Sequence, residues 1–308
     1  MARAYASIIL DRPVGTVWSL VRDFNGLPSW SPAIARSKIE NGRDADAVGC
    51  VRSFYTQEGS HIRERLLALD DANWTFTYSF EKPAFPVRNY IATLRLYPVT
   101  HSEQTFAEWS ATFDEVAGDE GKYERIVSKD VFTASFTNLA RIIAKMKKAD
   151  PNAEGRWKGG QPNKVWTSRH IKAPLNDVWG VMRDFAGMGG WHDEISKMHM
   201  LKRHRSDKVS ATRDFYFGTG HLHEQLLHLS DIETSFSYRI TQCEMPWINY
   251  VSGPRLWPVT ADNTTFGVWI GDWDASAQDD LVLIPRTEQN VYQKGFAGIE
   301  SLLKKKRR

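Results

Sequence analysis

Two matched stretches of the chain differ at a residue able to carry a proton. WSLVRDFNGLPSWS runs from Trp18 to Ser31, and WGVMRDFAGMGGWH from Trp179 to His192. A serine can only exchange hydrogen bonds, whereas the imidazole of His192 can also take up and release a proton near neutral pH. Seven of the nine histidines fall in the second half of the chain. His221-x-His223 sets two rings on one face of a strand, roughly 7 Å apart at the backbone, a spacing that could share a zinc ion. No third ligand is evident beside that pair. Glu224 and His228 share the opposite face but lie about 13 Å apart along the strand, too far for one ion. Neither metal nor cofactor is therefore expected. Cys50 and Cys243 form no C-x-x-C pair and sit in no activating motif. G-x-S-x-G, Walker and dinucleotide-binding fingerprints are absent, so nucleophile-elbow and nucleotide-dependent chemistry have no support.

The elements that must position these residues occur twice. Pro13, Val17, Trp18, Arg22, Asp23, Phe24, Gly26 and Trp30 fall on Pro174, Val178, Trp179, Arg183, Asp184, Phe185, Gly187 and Trp191. Further on, His61, Glu64, Leu66 and Leu67 match His221, Glu224, Leu226 and Leu227, and Asn89-Tyr90 matches Asn249-Tyr250. LYPVT at 96–100 returns as LWPVT at 256–260. A repeat this long is a whole domain rather than a solenoid unit. Copy 1 spans 1–147 and copy 2 spans 165–308. KADPNAEGRWKGGQPNK between them, within 148–164, reads as a linker rich in Gly, Pro and charge.

Each copy has one layout. A strand, YASIILD in copy 1, ends at a proline, and an amphipathic helix follows with Val17, Leu20, Val21 and Phe24 at helical spacing. VRSFYT, IRERLLAL, WTFTYSF, YIATLRLY and FAEWSATF then read as strands at hairpin spacing. A long helix closes each copy, expected over 123–146 and 286–303. The order helix, several strands, helix predicts an α+β fold with an antiparallel sheet and its helices on one side.

Composition narrows the function classes. The chain has 308 residues, 42% of them hydrophobic, enough for two domains with cores of their own. Five of its 40 basic residues are the tail Lys304-Lys305-Lys306-Arg307-Arg308; the other 35 face 37 acidic ones. The body is thus not basic, which argues against a nucleic-acid-binding surface. No run approaches about 18 apolar residues, so no membrane span or signal peptide is read. A cytoplasmic location is expected, and two unpaired cysteines fit a reducing compartment.

PxxxVWxxxRDFxGxxxW, ERLLALDD, WSATFD and the long closing helix resemble the SRPBCC superfamily, which groups START-type lipid-binding domains, birch-pollen-allergen-like proteins and polyketide cyclase/dehydratases. The resemblance covers both copies. It implies two tandem helix-grip domains, each a curved antiparallel sheet around its terminal helix with an internal apolar cavity. Similarity to plant abscisic-acid receptors around VW, ERL and NY implies which face lines that cavity. In copy 1 the implied lining is Ser31, Arg52, Ile62, Glu64, Leu66, Tyr78, Phe80, Tyr90, Trp109, Val127, Val131 and Ser135. In copy 2 it is His192, Arg213, Leu222, Glu224, Leu226, Tyr238, Ile240, Trp247, Tyr250, Trp269, Thr287, Val291 and Gly295. The small Ser135 and Gly295 would leave room for a guest. The receptors' gate and latch loops have no counterpart in TQEGSH or EKPAFPV, and their pocket lysine is replaced by Ser31 and by His192.

The resemblance implies an acid/base role for copy 2. His192 would move a proton, with Glu224 orienting its ring. Tyr238 and Tyr250 would hold a carbonyl or phenolate oxygen, and Arg213 would stabilise developing negative charge. That set suits a cofactor-independent cyclase or dehydratase, of lyase or isomerase type, acting on an oxygenated polyketide-like or aromatic molecule. The competing reading is a non-catalytic carrier or sensor of a hydrophobic small molecule, with Arg52–Glu64 and Arg213–Glu224 as structural pairs. One architecture hosts both. A repeat that buries a shared face would also make an intramolecular pseudo-dimer.

Overall fold

The computed structural model describes residues 1–146 and 162–306. Residues 148–161 of the expected linker lie outside the described residues, as do Arg307 and Arg308 of the tail. The described residues gather into two compact units, one for each copy of the repeat.

In the first unit seven strands form one antiparallel sheet: β1 Ala2–Leu10, β2 Ile34–Ile39, β3 Val51–Thr56, β4 His61–Asp70, β5 Thr75–Lys82, β6 Val87–Val99 and β7 Gln104–Glu115. Their order across the sheet is β1-β7-β6-β5-β4-β3-β2. The second unit repeats that order as β8-β14-β13-β12-β11-β10-β9, with β8 Val165–Ile171, β9 Ile195–Met200, β10 Thr212–Phe217, β11 Gly220–Ser230, β12 Ser235–Cys243, β13 Ile248–Val259 and β14 Thr264–Asp274. Sequential hairpins account for every pairing except the closure of the first strand on the last, as consecutive short strands with polar turns dictate. Register breaks fall between Leu66 and Ala68 and between Leu226 and His228, the same place in both sheets. Such bulges bend a strand and increase its twist.

The alternation of β4 and β11 buries Ile62, Glu64 and Leu66 and their partners Leu222, Glu224 and Leu226, as a period of two requires. The closing helix of the first unit covers 122–145 in three segments, Lys122–Ile126, a π-helical Val127–Thr133 and Ala134–Lys145. It buries Phe132, Phe136, Leu139 and Ile143, a stripe at helical spacing. Each such side chain contributes about 1.5–3 kcal/mol by leaving water. The second unit carries Tyr292, Phe296, Ile299 and Leu303 at the same places, and its π-helical stretch Thr287–Gln293 matches the first.

Sequence reading and structure part at two points. The second closing helix begins at Ala277, not at 286, because Ser276 caps it by accepting from the Asp279 backbone N–H at 3.1 Å. Pro285 lies inside that helix. The edge strands β2 and β9 are also absent from the sequence reading. Both are short, with mostly exposed or half-buried residues after a buried first one, so they lack the apolar alternation that marks a strand.

Candidate functional site

Both units bury one ion pair under the sheet. Arg52 lies on β3 opposite Glu64 on β4 and donates to it at 2.6 Å, and to the Phe24 carbonyl at 2.7 Å. Arg213 on β10 repeats this with Glu224 on β11 at 2.7 Å and the Phe185 carbonyl at 2.8 Å. Each guanidinium also sits 3.9 Å over the ring of that phenylalanine. Burial pushes the Glu64 and Glu224 carboxyls upward, against the pull of their arginines. A buried charge needs such a partner.

Above the pair stand aromatic rings, and here the units diverge. In the first, Trp109 stacks on Phe132 at 4.3 Å and donates to Tyr78 Oη at 3.1 Å. In the second, Trp269 stacks on Tyr292 at 5.0 Å and donates to Ser252 Oγ at 3.0 Å. Ser252 Oγ donates to the Ile270 carbonyl at 2.8 Å. Its one proton is thereby committed, so it accepts from Tyr292 Oη at 2.8 Å. Tyr292 in turn accepts from Tyr250 Oη at 2.7 Å. The result is a directed chain, Tyr250 to Tyr292 to Ser252 to a backbone carbonyl. Burial raises Tyr238, Tyr250 and Tyr292 well above the ordinary phenol value, so all three are neutral hydroxyls at physiological pH. The matched positions in the first unit are Ala92 and Phe132, which can form no such chain.

Among the buried polar atoms without a hydrogen-bond partner among the described residues are Trp247 Nε1 and Thr287 Oγ1 of the second unit, and Trp191 Nε1 together with its match Trp30 Nε1 in the first. The Trp247 ring lies 5.3 Å from that of Tyr250, and Thr287 opens the π-helical stretch. In the first unit Val87 stands for Trp247 and Val127 for Thr287. An unpaired buried polar group costs about 1–3 kcal/mol, so these atoms are poorly explained by packing alone.

His192 ends the turn after Gly187–Gly190 and is buried, with 1% exposure. Its Nε2–H donates to the Val291 carbonyl of the π-helical stretch at 3.2 Å. Its Nδ1 accepts from the Glu194 backbone N–H at a long 3.4 Å. Burial lowers its pKa and outweighs the Val291 contact, leaving a neutral imidazole. Gly295 explains how the ring fits: a Cβ there would lie 3.2 Å from Trp269, 3.3 Å from Trp191 and 3.5 Å from His192. In the first unit the small pair Ser31 and Ser135 joins by a 2.8 Å hydrogen bond instead. The expected role of these small residues is thus corrected, because the space they leave is taken by protein side chains. The expected contact between Glu224 and His192 is also absent among the described residues: Glu224 serves Arg213, and His192 is oriented by backbone groups. A cleft of about 400 Å3 opens beside His192, lined also by Gly189, Gly190, Lys294, Gly298 and Lys305.

Of the other residues expected to line a cavity, the structure gives the burial. Arg52, Glu64, Tyr78, Tyr90, Trp109, Leu222, Trp247 and Gly295 are buried, while Val131 and Val291 are half-buried. Sequence reading missed Tyr292 and Ser252 altogether. Their signal was available, since matched positions that read Phe and Ala in one copy read Tyr and Ser in the other. It also missed Asp214, which lies beside the outward pair His221 and His223. Asp214 belongs to a different strand, and only the sheet register brings it to the histidines.

A family model described as polyketide cyclase / dehydrase and lipid transport matches residues 1–144 and 162–304. Among solved structures, a putative uncharacterized protein from Bacillus thuringiensis is 30% identical over 47% of this chain and 100% of its own, with a TM-score of 0.43. XoxI from Bacillus cereus is 29% identical over 47% and 97%, also at 0.43. The di-domain ARO/CYC BexL from the BE-7585A biosynthetic pathway is 12% identical over 98% of both chains, at 0.40. Among the described residues no helix is long and apolar enough to cross a membrane.

Proposed function

The chain belongs to the polyketide cyclase/dehydrase and lipid transport family, and on that premise we propose that its second unit is a cofactor-independent acid/base site for an oxygenated, polyketide-like or aromatic molecule. The observation that carries this reading is the pair of buried polar atoms without partners, Trp247 Nε1 and Thr287 Oγ1, where the first unit has valines, in a unit that also holds the Tyr250–Tyr292–Ser252 chain. A guest with carbonyl or phenolic oxygens would satisfy them, and an apolar guest would not.

The chemistry assigned is intramolecular condensation. His192, neutral and weakly engaged at Nδ1, accepts a proton from carbon next to a carbonyl. The resulting enolate carbon attacks a second carbonyl of the same molecule, and that oxygen receives a proton from Tyr250, leaving a phenolate there. In the loss of water that follows, the His192 imidazolium protonates the leaving hydroxyl and the Tyr250 phenolate takes the second proton from the same carbon, which restores both groups. Arg213 lies 5.2 Å from the Tyr238 ring, but Glu224 neutralises it, so its part is to hold the interior together rather than to stabilise charge on oxygen. The first unit, with Val87, Ala92, Val127 and Phe132 at the matched positions, suits an apolar guest without chemistry.

Candidate poly-carbonyl and hydroxylated aromatic molecules incubated with wild type, His192→Ala and Tyr292→Phe, with products followed by mass spectrometry, test the proposal. Turnover by wild type that collapses in His192→Ala, with affinity retained, supports it. Saturable binding with no product in wild type overturns the catalytic reading in favour of a carrier.

A further inference from the structure

The outer face of the second sheet carries a cluster that the acid/base reading does not use. Asp214 on β10 points away from the interior, since its neighbours Arg213 and Phe215 are buried. His221 Nε2–H donates to Asp214 Oδ1 at 3.0 Å and His223 Nε2–H donates to Oδ2 at 2.8 Å. One ligand atom from each of the three lies within 4.8 Å of the others. Tetrahedral zinc with bonds near 2.0–2.1 Å separates its ligands by about 3.3 Å, so small side-chain rotations suffice. Sheet register sets His199 on edge strand β9 directly opposite Asp214. Its ring is exposed, its Nδ1 donates to the Lys197 carbonyl at 3.3 Å, and its Nε2 has no partner among the described residues. Tyr216 stacks on His221 at 4.8 Å and fixes that ring.

The first unit shows what the same place looks like without a ligand set. Lys38, Ser53, His61 and Arg63 stand where the second unit has His199, Asp214, His221 and His223. There, Ser53 Oγ and His61 Nε2 form a 2.8 Å hydrogen bond and Arg63 pairs with Glu40 at 2.7 Å. Three substitutions thus turn a cationic patch into four groups suited to one borderline metal ion.

We propose that Asp214, His221 and His223 bind a divalent transition-metal ion, zinc foremost, with His199 as fourth ligand, clipping β9, β10 and β11 together. Each imidazole adopts the tautomer with its proton on Nδ1, which turns the Nε2 lone pair toward the metal beside the carboxylate. The site differs from the acid/base site in its residues and in the face of the sheet it occupies, and so stands whether or not that reading holds.

Untagged full-length protein, freed of metal with a chelator, is titrated with zinc chloride against a chromophoric competitor of known affinity. One zinc per chain is expected. Asp214→Ser and His223→Arg, each borrowed from the first unit, should each weaken binding by at least about tenfold, as should Asp214→Asn, which keeps the side-chain size. Bound cobalt(II) should show visible d–d absorption in wild type and lose it in Asp214→Asn. His199→Ala should weaken binding without abolishing it; unchanged affinity would overturn its place as fourth ligand. Failure to bind one zinc, or one-to-one binding that survives Asp214→Asn and His223→Arg together, overturns the site.

Discussion

Gly271→Ala, made alone and with Tyr292→Phe, measures whether the second interior is built around one hydroxyl. A Cβ at 271 would lie 2.1 Å from Tyr292 Oη and 3.1 Å from its Cζ. That hydroxyl is held by Tyr250 and Ser252 at 2.7 and 2.8 Å, and its ring is stacked on Trp269. It therefore has no easy escape, and overpacking of this kind costs about 1–3 kcal/mol. Tyr292→Phe alone removes two hydrogen bonds and strands the Tyr250 hydroxyl, a loss of about 2–3 kcal/mol. The double variant recreates the Ala111 and Phe132 of the first unit. The hydroxyl clash vanishes, leaving ring carbons at 3.1 and 3.3 Å. The two losses should then overlap by about 1–3 kcal/mol, as expected for residues in contact. Urea unfolding followed by tryptophan fluorescence gives each free energy by linear extrapolation. Losses that add to within about 0.5 kcal/mol would refute the idea that Gly271 exists to admit the Tyr292 hydroxyl.

Further outcomes follow from the same contacts. Arg213→Met should destabilise the protein by about 3–5 kcal/mol by leaving Glu224 buried and unpaired, and adding Glu224→Leu should recover most of it; denaturant midpoints of the single and double variants check this. Gly295→Ser should lower the melting temperature by crowding Trp269, Trp191 and His192, and His192→Ser in the same chain should restore it through a serine pair like Ser31–Ser135; calorimetry reads both. His192 has a lowered pKa when folded, so its contribution is fully present above its unfolded value, about 6.5, and is lost as pH falls through the lower folded value. Unfolding free energy should therefore drop between pH 7 and 5, and less steeply in His192→Ser/Gly295→Ser, where an equal slope would contradict the buried neutral imidazole.

Much of the architecture was legible because two signals agreed. The repeat fixed domain number, and period-two burial on HIRERLLAL fixed the inward face, so Glu64 and Glu224 land where alternation puts them. What escaped was relational. The Arg213–Glu224 pair was legible from two inward positions, but Asp214 joins His221 and His223 only through the β10–β11 register. His192 was legible as a buried position but not as a ring held by the Val291 carbonyl, because the π-helical stretch leaves no mark in composition.

The differences between the units come as matched exchanges. Ser31 and Ser135 become His192 and Gly295, so a ring enters where a helix side chain leaves. Ala111 and Phe132 become Gly271 and Tyr292, so a hydroxyl enters where a methyl leaves. Asn138, which donates to the Trp30 carbonyl at 3.1 Å, becomes Gly298, where a Cβ would overlap the Trp191 carbonyl at 1.8 Å. Packing at constant volume explains why both units keep one fold, but it does not explain the direction of change. Val87 and Val127 hold the matched places in the first unit with apolar side chains, whereas Trp247 and Thr287 bring polar atoms that the protein leaves unsatisfied. Packing alone does not account for that penalty at two places where the matched residues are valines. A site that must hold an oxygen-bearing guest does, because the guest supplies the missing partners when it binds.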